Sequence, residues 1–279
     1  MSRTIAVIAP GMMGSGVGGR LSSKGANVIS LLAGRSAQSL QRAADAHMAA
    51  AGESEIANAE FILSIVPPGE AVALAKQLAP YLTKAQRKPV YVDCNAINPE
   101  TACEVGDVIA STGCAFVDGG IVGGPPREGY NGPQIYVSGK EAASVLALNE
   151  FGLFFKKLDD TIGTASALKM CYGGITKGIT AIATSMTLAA SRAGIADALR
   201  DELASSQPML LAHFQRSVPD MFSKSWRWVD EMEEIGVFLG DREERDVYEG
   251  IAGLYDRLAG DFDGDKEEIS ALAKFYRKS

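Results

Sequence analysis

The chain has 279 residues, long for one domain and comfortable for two, either of which could bury a core. A net charge of −7 argues against nucleic acid or an anionic membrane surface as a general partner, and no apolar run approaches the roughly 20 residues of a membrane span. Four cysteines without C-x-x-C spacing and only two histidines, His47 and His213, give no basis for a structural metal site; they fit reduced thiols in a cytoplasmic protein.

An apolar run at 5–9 leads into the turn Pro10-Gly11-Met12-Met13-Gly14 and a helix at 12–23. Its start so near the N-terminus leads us to expect no signal or transit peptide. Further strand-like runs at 28–32, 61–66, 90–92, 115–117 and 134–137 alternate with helical patterns at 38–51, 71–82 and 99–112. That alternation predicts α/β architecture, a Rossmann-type doubly wound and mainly parallel sheet. Beyond about residue 160 the strand signals stop. Helices are expected at 164–192, 191–203, 209–216, 221–239 and 268–277, with Asp- and Gly-rich turns between them. A boundary near Ile162 divides the chain into a dinucleotide-binding domain, 1–162, and an all-α substrate and dimerisation domain, 163–279.

The opening turn resembles G-x-G-x-x-G with Ala9 at the first place and Gly11 and Gly14 at the second and third. The second glycine lets a phosphate approach the backbone and the third packs helix on strand; the helix start offers free N–H groups to a pyrophosphate. A glycine-rich turn without a ligand is the plainer alternative, but its place directly after a buried strand favours a dinucleotide. Gly18 and Gly19 are expected to let the helix lie close to the sheet. The second strand ends Ala33-Gly34-Arg35-Ser36, without the acid that usually accepts from an NAD ribose. Arg35 and Ser36 suit a 2′-phosphate, so NADP (NADPH) is the expected cofactor, against the alternative of a solvated loop arginine.

Leu168, Cys171, Ile175, Ile179, Ile182, Met186 and Ala189 repeat at helical spacing, which marks 164–192 as the spine of the second domain. Lys169 lies beside that stripe near the helix N-terminus, where partial burial and the dipole favour a neutral amine. A snorkelling surface lysine is the competing reading. Lys177, eight residues on, is turned roughly 80° round an ideal helix. Met221, Ser225, Trp228, Met232, Ile235 and Leu239 read as a core stripe, and Arg227 as paired with nearby acids. His47 is expected to be exposed. Asp118 is expected to end a strand and orient the glycine loop after it.

Five segments in order resemble the β-hydroxyacid dehydrogenase family, which includes 3-hydroxyisobutyrate and 6-phosphogluconate dehydrogenases: "GMMGSGVGGRLSSKG", "AGRS", "VDCNAINP", "DGGIVGGPP" and "IGTASALKMCYGGITKG". They span roughly the first two-thirds of the chain; "SKSWRWVDEMEEI" further resembles a poorly characterised helical domain of some bacterial members. The resemblance implies cofactor contacts from Gly11, Met12, Met13, Gly14, Arg35, Ser36, Val66, Pro67 and Asn95. It also implies a catalytic Lys169, substrate contacts around Val122, Gly123, Gly124 and Gly173, a small-molecule substrate and a homodimer. Val122 stands where the family has a serine, Gly120 where it has a proline, and Gly173 where it has an asparagine. Two polar anchors are thereby lost, each worth roughly 1 kcal/mol or more, and an atypical substrate is expected. The implied reaction is hydride transfer between nicotinamide and a carbonyl or hydroxyl carbon of a carboxylate-bearing metabolite. Imine reduction within the same superfamily and a non-catalytic nucleotide-binding role are the alternatives.

Overall fold

The computed structural model describes residues 3–277, and the chain divides into two units, Met1–Met170 and Cys171–Ser279. In the first, β1 (Thr4–Ile8), α1 (Met12–Ser23), β2 (Asn27–Ser30) and α2 (Ala37–Asp45) are followed by a two-residue β3 (Ala49–Ala50) and α3 (Glu53–Ile56). Next come β4 (Phe61–Ser64), α4 (Ala71–Lys84), β5 (Val90–Asp93), α5 (Pro99–Ala110) and β6 (Ala115–Val122). Then β7 (Gln134–Ser138), α6 (Ala142–Val145) and β8 (Phe154–Lys157) complete the sheet. Its order is β3-β2-β1-β4-β5-β6-β7-β8, and every pairing is parallel except the antiparallel β6–β7. The strand order reverses at β1 and β4. The carboxyl ends of the strands beside such a switch point are where α/β sheets hold ligands.

The strands are continuous apolar runs because both faces are covered. Ile5 and Val7 of β1 pack with Val17 and Leu21 of α1, while Ala6 and Ile8 join Leu74 and Leu78 of α4. The helix expected at 38–51 stops at Asp45, and His47 turns at φ 53° into β3, which pairs with β2. Alanine-rich sequence favours helix there, and strand pairing overrides it. β6 runs for 8 residues, well past the expected 115–117, through Gly119 and Gly120. A Cβ at either would stand 2.7 Å from Asp93 O or 2.6 Å from Ala165 O, so glycine is required for close packing rather than for a turn.

The helical region contains α7 (Thr164–Arg192), α8 (Ala196–Ser206), α9 (Pro208–Met221), α10 (Ser225–Leu239), α11 (Glu243–Asp263) and α12 (Glu267–Tyr276). The two units divide inside α7, between Met170 and Cys171, later than the Ile162 boundary drawn from sequence. The 21-residue α11 falls where turns were expected. Its acids, Glu243, Glu244 and Asp246, occupy the first turn and favour the helix dipole there, while Ile251, Leu254, Tyr255 and Leu258 form its buried face.

The stripe expected to be the buried spine of α7 turns outward: Ile175 is 70%, Ile182 61% and Met186 58% exposed. The inward face of the second unit's stretch is Gly174, Gly178, Thr180, Thr184, Thr187 and Leu188. Small residues there admit the Tyr248 ring, whose hydroxyl lies 3.0 Å from where a Gly174 Cβ would stand. Thr180 and Thr184 donate their hydroxyl protons to carbonyls one turn back, and Thr187 shares a hydrogen bond with the Tyr276 hydroxyl at 2.7 Å, which makes their burial inexpensive.

Candidate active site

At the β1–α1 turn, Ala9 has φ 69°, the left-handed conformation for which the usual glycine is selected. The conformation is kept although the residue has changed. A Cβ on Gly14 would stand 2.1 Å from Ala9 O, so the third glycine is required for packing α1 on the strand. Nothing lies within 4 Å of where a Gly11 Cβ would be. That open backbone, beside the start of α1, fits a pyrophosphate. Met12 is exposed and Met13 half-buried beside it. Gly18 and Gly19 face Met48 and Ala46 rather than the sheet.

At the end of β2, Arg35 is half-buried in the turn, and no acid lies between Val28 and Ser36. Ser36 caps α2, accepting from Ser39 N at 3.3 Å and donating to Ser39 Oγ at 3.1 Å. Arg42 was not anticipated. Its Nη2 donates to Ser39 Oγ at 3.1 Å and its Nε to Pro10 O at 2.9 Å, which ties α2 to the glycine turn. The only available sequence signal was a cation within the helix that follows the Arg-Ser pair.

Asn95 lies just past β5 and is 3% exposed. Its Oδ1 accepts from Val66 N at 2.7 Å, and its Nδ2 donates to Ser64 Oγ and to Asp93 Oδ2 at 3.0 and 2.8 Å. The side chain therefore fixes the edge that carries Val66 and Pro67. Burial pushes the Asp93 carboxyl up to about 7, with neighbouring Asp118 adding to the rise and hydrogen bonds from Asn95 opposing it.

Asp118 lies in the middle of β6, paired in register with Asp93, and does not end the strand. Its carboxylate is directed at the start of α7 rather than at the glycine loop. Oδ2 accepts from Ser138 Oγ, Gly163 N and Ser166 N at 3.0, 2.9 and 3.0 Å, and Oδ1 from Ser166 Oγ at 2.6 Å. Lys169 lies one turn further along α7, half-buried, its Cβ 3.1 Å from where a Gly120 Cβ would be.

Val122 ends β6 half-buried, and Gly123 leaves the strand at φ 123°. The Tyr130 hydroxyl lies 2.8 Å from where a Gly123 Cβ would stand, and no atom is within 4 Å of the Gly124 position. The loop after them returns to α1: Pro125 and Pro126 lie against Gly16, and Arg20 donates to the carbonyls of Tyr130 and Asn131. The structure thus gathers the end of β6 beside the cofactor helix. Gly173 belongs to the other unit, where it is buried with Ile235 Cδ1 3.9 Å from its Cβ position.

Within the helical unit, Lys177 is ion-paired with Glu231, the two side chains being 12% and 17% exposed. Its ammonium lies 5.3 Å from the Trp228 ring centroid, and Tyr255 donates to Lys177 O at 2.6 Å. Met221, Ser225, Met232 and Ile235 are buried as anticipated. Burial holds the Arg227 guanidinium below its usual range, with Asp220 opposing the shift. His47 is exposed as anticipated. Among the described residues no cluster of metal-ligating side chains occurs, and no helix is long and apolar enough to cross a membrane.

A switch-point sheet edge with a glycine-built phosphate turn defines a dinucleotide-dependent enzyme, here an NAD(P)-dependent oxidoreductase. Residues 4–154 match the family model described as the NAD binding domain of 6-phosphogluconate dehydrogenase, and residues 190–258 match a domain of unknown function. The chain belongs to that β-hydroxyacid dehydrogenase-like family.

Three solved structures show the same architecture. Conserved protein MTH1747, of unknown function but with structural similarity to 3-hydroxyacid dehydrogenases, is 25% identical with TM-score 0.70, covering 96% of this chain and 99% of that one. Mycobacterium tuberculosis 3-hydroxyisobutyrate dehydrogenase with L-serine is 17% identical with TM-score 0.73 over 98% and 99% of the chains. An imine reductase from Myxococcus stipitatus with NADP+ is 18% identical with TM-score 0.57 over 98% and 100%.

Proposed function

We propose that this protein is an NADP-dependent oxidoreductase that interconverts a carbonyl and an alcohol on a small carboxylate-bearing metabolite, with Lys169 as general acid and base. The observation that carries the reading is Lys169 held against the end of β6, the strand whose exit loop returns to the cofactor helix. A bound nicotinamide supplies or accepts the hydride. Gly11, Met12, Met13 and Gly14 hold the pyrophosphate side, with Val66 and Pro67 on the edge that Asn95 fixes. Arg35 and Ser36 take the 2′-phosphate, with Arg42 holding their loop. Gly123 and Gly124 offer backbone N–H groups to a carboxylate, and Lys169 Nζ donates its proton to the forming alkoxide in the reductive direction. Val122 and Gly173 each lack the polar side chain that the family resemblance puts at their positions.

Imine reduction is the second reading. It is favoured by those same two residues, because an imine needs neither polar anchor. A chain that binds nucleotide without turnover is the third, and retention of Lys169 speaks against it. An NADPH-consumption screen against β-keto acids, aldehydes and cyclic imines separates the three. Turnover of carbonyl compounds supports the first, turnover of cyclic imines alone selects the second, and binding of NADPH without turnover selects the third.

The exposed stripe of Ile175, Ile182 and Met186 supports pairing with a second copy of the chain as a homodimer. A monomer mass by light scattering at micromolar concentration would refute that pairing. A cytoplasmic location fits the four unpaired cysteines, two of them buried.

A further inference from the structure

We infer that Asp118 and Gly120, two residues of one strand, are positioning residues that together seat Lys169. The inference rests on the reading of Lys169 as the proton-transfer group. A helix start leaves N–H groups without intrahelical partners, and their satisfaction fixes where the helix begins and how it is aimed. Here that task falls to a carboxylate 45 residues earlier in the chain than the first of them, Gly163 N. It is 1% exposed and receives four hydrogen bonds, three from the Gly163–Ser166 segment and one from Ser138 on β7. Ser138 Oγ in turn accepts from Ala165 N at 3.1 Å, so the neighbouring strand holds the same turn of helix. Lys169 follows Ser166 by one turn, and its direction is set by that anchor.

Gly120 acts independently, through distance. Two residues beyond Asp118 on the same face of β6, it lets α7 approach until its carbonyl at Ala165 would lie 2.6 Å from any Cβ there. The same missing Cβ leaves the Lys169 Cβ resting directly on the strand. The carboxylate thus fixes the helix start and the glycine its height above the strand. Gly120 is then part of the proton-transfer geometry.

The test uses the whole chain and does not require a known substrate. Trace acetic anhydride labels each lysine according to its accessibility and reactivity, read by mass spectrometry, with exposed Lys76 on α4 as the internal reference. Gly120→Ala and Asp118→Asn are expected to raise Lys169 labelling several-fold relative to Lys76 while leaving NADPH affinity unchanged. Ser166→Ala, which removes one of the four bonds, should raise it less and serves if Asp118→Asn does not fold. A purely structural anchor would lower the melting temperature without moving the labelling of the folded protein. Unchanged Lys169 labelling in Gly120→Ala and in the folded anchor variant would overturn the inference. On a substrate found by the screen, kcat of Gly120→Ala should fall about tenfold or more. Full turnover by Lys169→Ala would break the catalytic reading while the labelling result stood, so the two failures are distinguishable.

Discussion

At the β1–α1 turn an alanine stands where glycine is usual, and at the end of β6 a valine stands where the family resemblance puts serine. In the turn, Ala9 adopts φ 69° and Gly14 still packs beneath its carbonyl, so the phosphate-binding backbone survives the exchange. At β6 the Val122 side chain carries no polar atom, and neither does Gly173 in the helical unit. A site built from backbone groups tolerates replacement wherever the new residue can reach the same φ and ψ. A site built from side-chain atoms loses its chemistry with the atom. On the proposed reading, the exchange at Ala9 therefore leaves the cofactor turn intact, whereas the exchange at Val122 removes a polar atom.

The largest effect is expected in the helical unit. Lys177→Ala would leave Glu231 charged in a mostly buried position, at a loss of about 3–5 kcal/mol by urea denaturation. A Lys177→Met/Glu231→Leu pair should recover most of it. A loss under 1 kcal/mol, on the order of a surface pair, would show that Lys177 is free for chemistry and would weaken the distinction drawn between the two lysines of α7.

Next is the pH dependence contributed by Asp93. Its carboxyl is raised from 3.8 to about 7, so the folded state keeps the proton longer than the unfolded chain does. The sign follows: this group's contribution favours folding most below about pH 4, declines as pH rises to about 7 and is flat above. At 1.36 kcal/mol per unit the decline is on the order of 4 kcal/mol. Asp93→Asn should remove that slope. Parallel stability–pH curves for the two proteins would show that the carboxyl is not perturbed.

Arg35→Ala is expected to weaken NADPH by about 1.5–3 kcal/mol, the loss of charge-assisted hydrogen bonds, with NADH little changed. Fluorescence titration of both nucleotides reads this, and equal affinities in the unaltered protein would remove the case for a 2′-phosphate site. The smallest effect is a gain. Ala9→Gly relieves a left-handed alanine and should stabilise the fold by about 1 kcal/mol, with NADPH binding retained. A destabilised variant would show that the methyl group contributes packing beyond its conformational cost.

The βαβ alternation, the cofactor turn and the extent of α7 were legible because each has a strong local signal: apolar runs, glycine spacing, and 29 residues without a breaking proline. β3, β8 and α11 were not. Two residues of strand and a helix rich in acids and glycine carry their information in the neighbours that bury them. The inverted face of α7 has the same origin: isoleucines mark an apolar surface without saying what covers it. Asp118 was read only as ending a strand and orienting the glycine loop, because Gly163 and Ser166 reach it only through the fold. Arg42 likewise required Pro10 O as a partner before its place in the cofactor edge could be seen.

The central claim is that one lysine of α7 carries the proton while the cofactor is held elsewhere. It is tested most directly by measuring kcat and the NADPH dissociation constant of Lys169→Ala side by side. General acid–base groups contribute roughly 10² to 10⁴ in rate, so kcat should fall by about that factor with the dissociation constant unchanged. Undiminished kcat, or a loss of NADPH affinity that accounts for the whole effect, would contradict it.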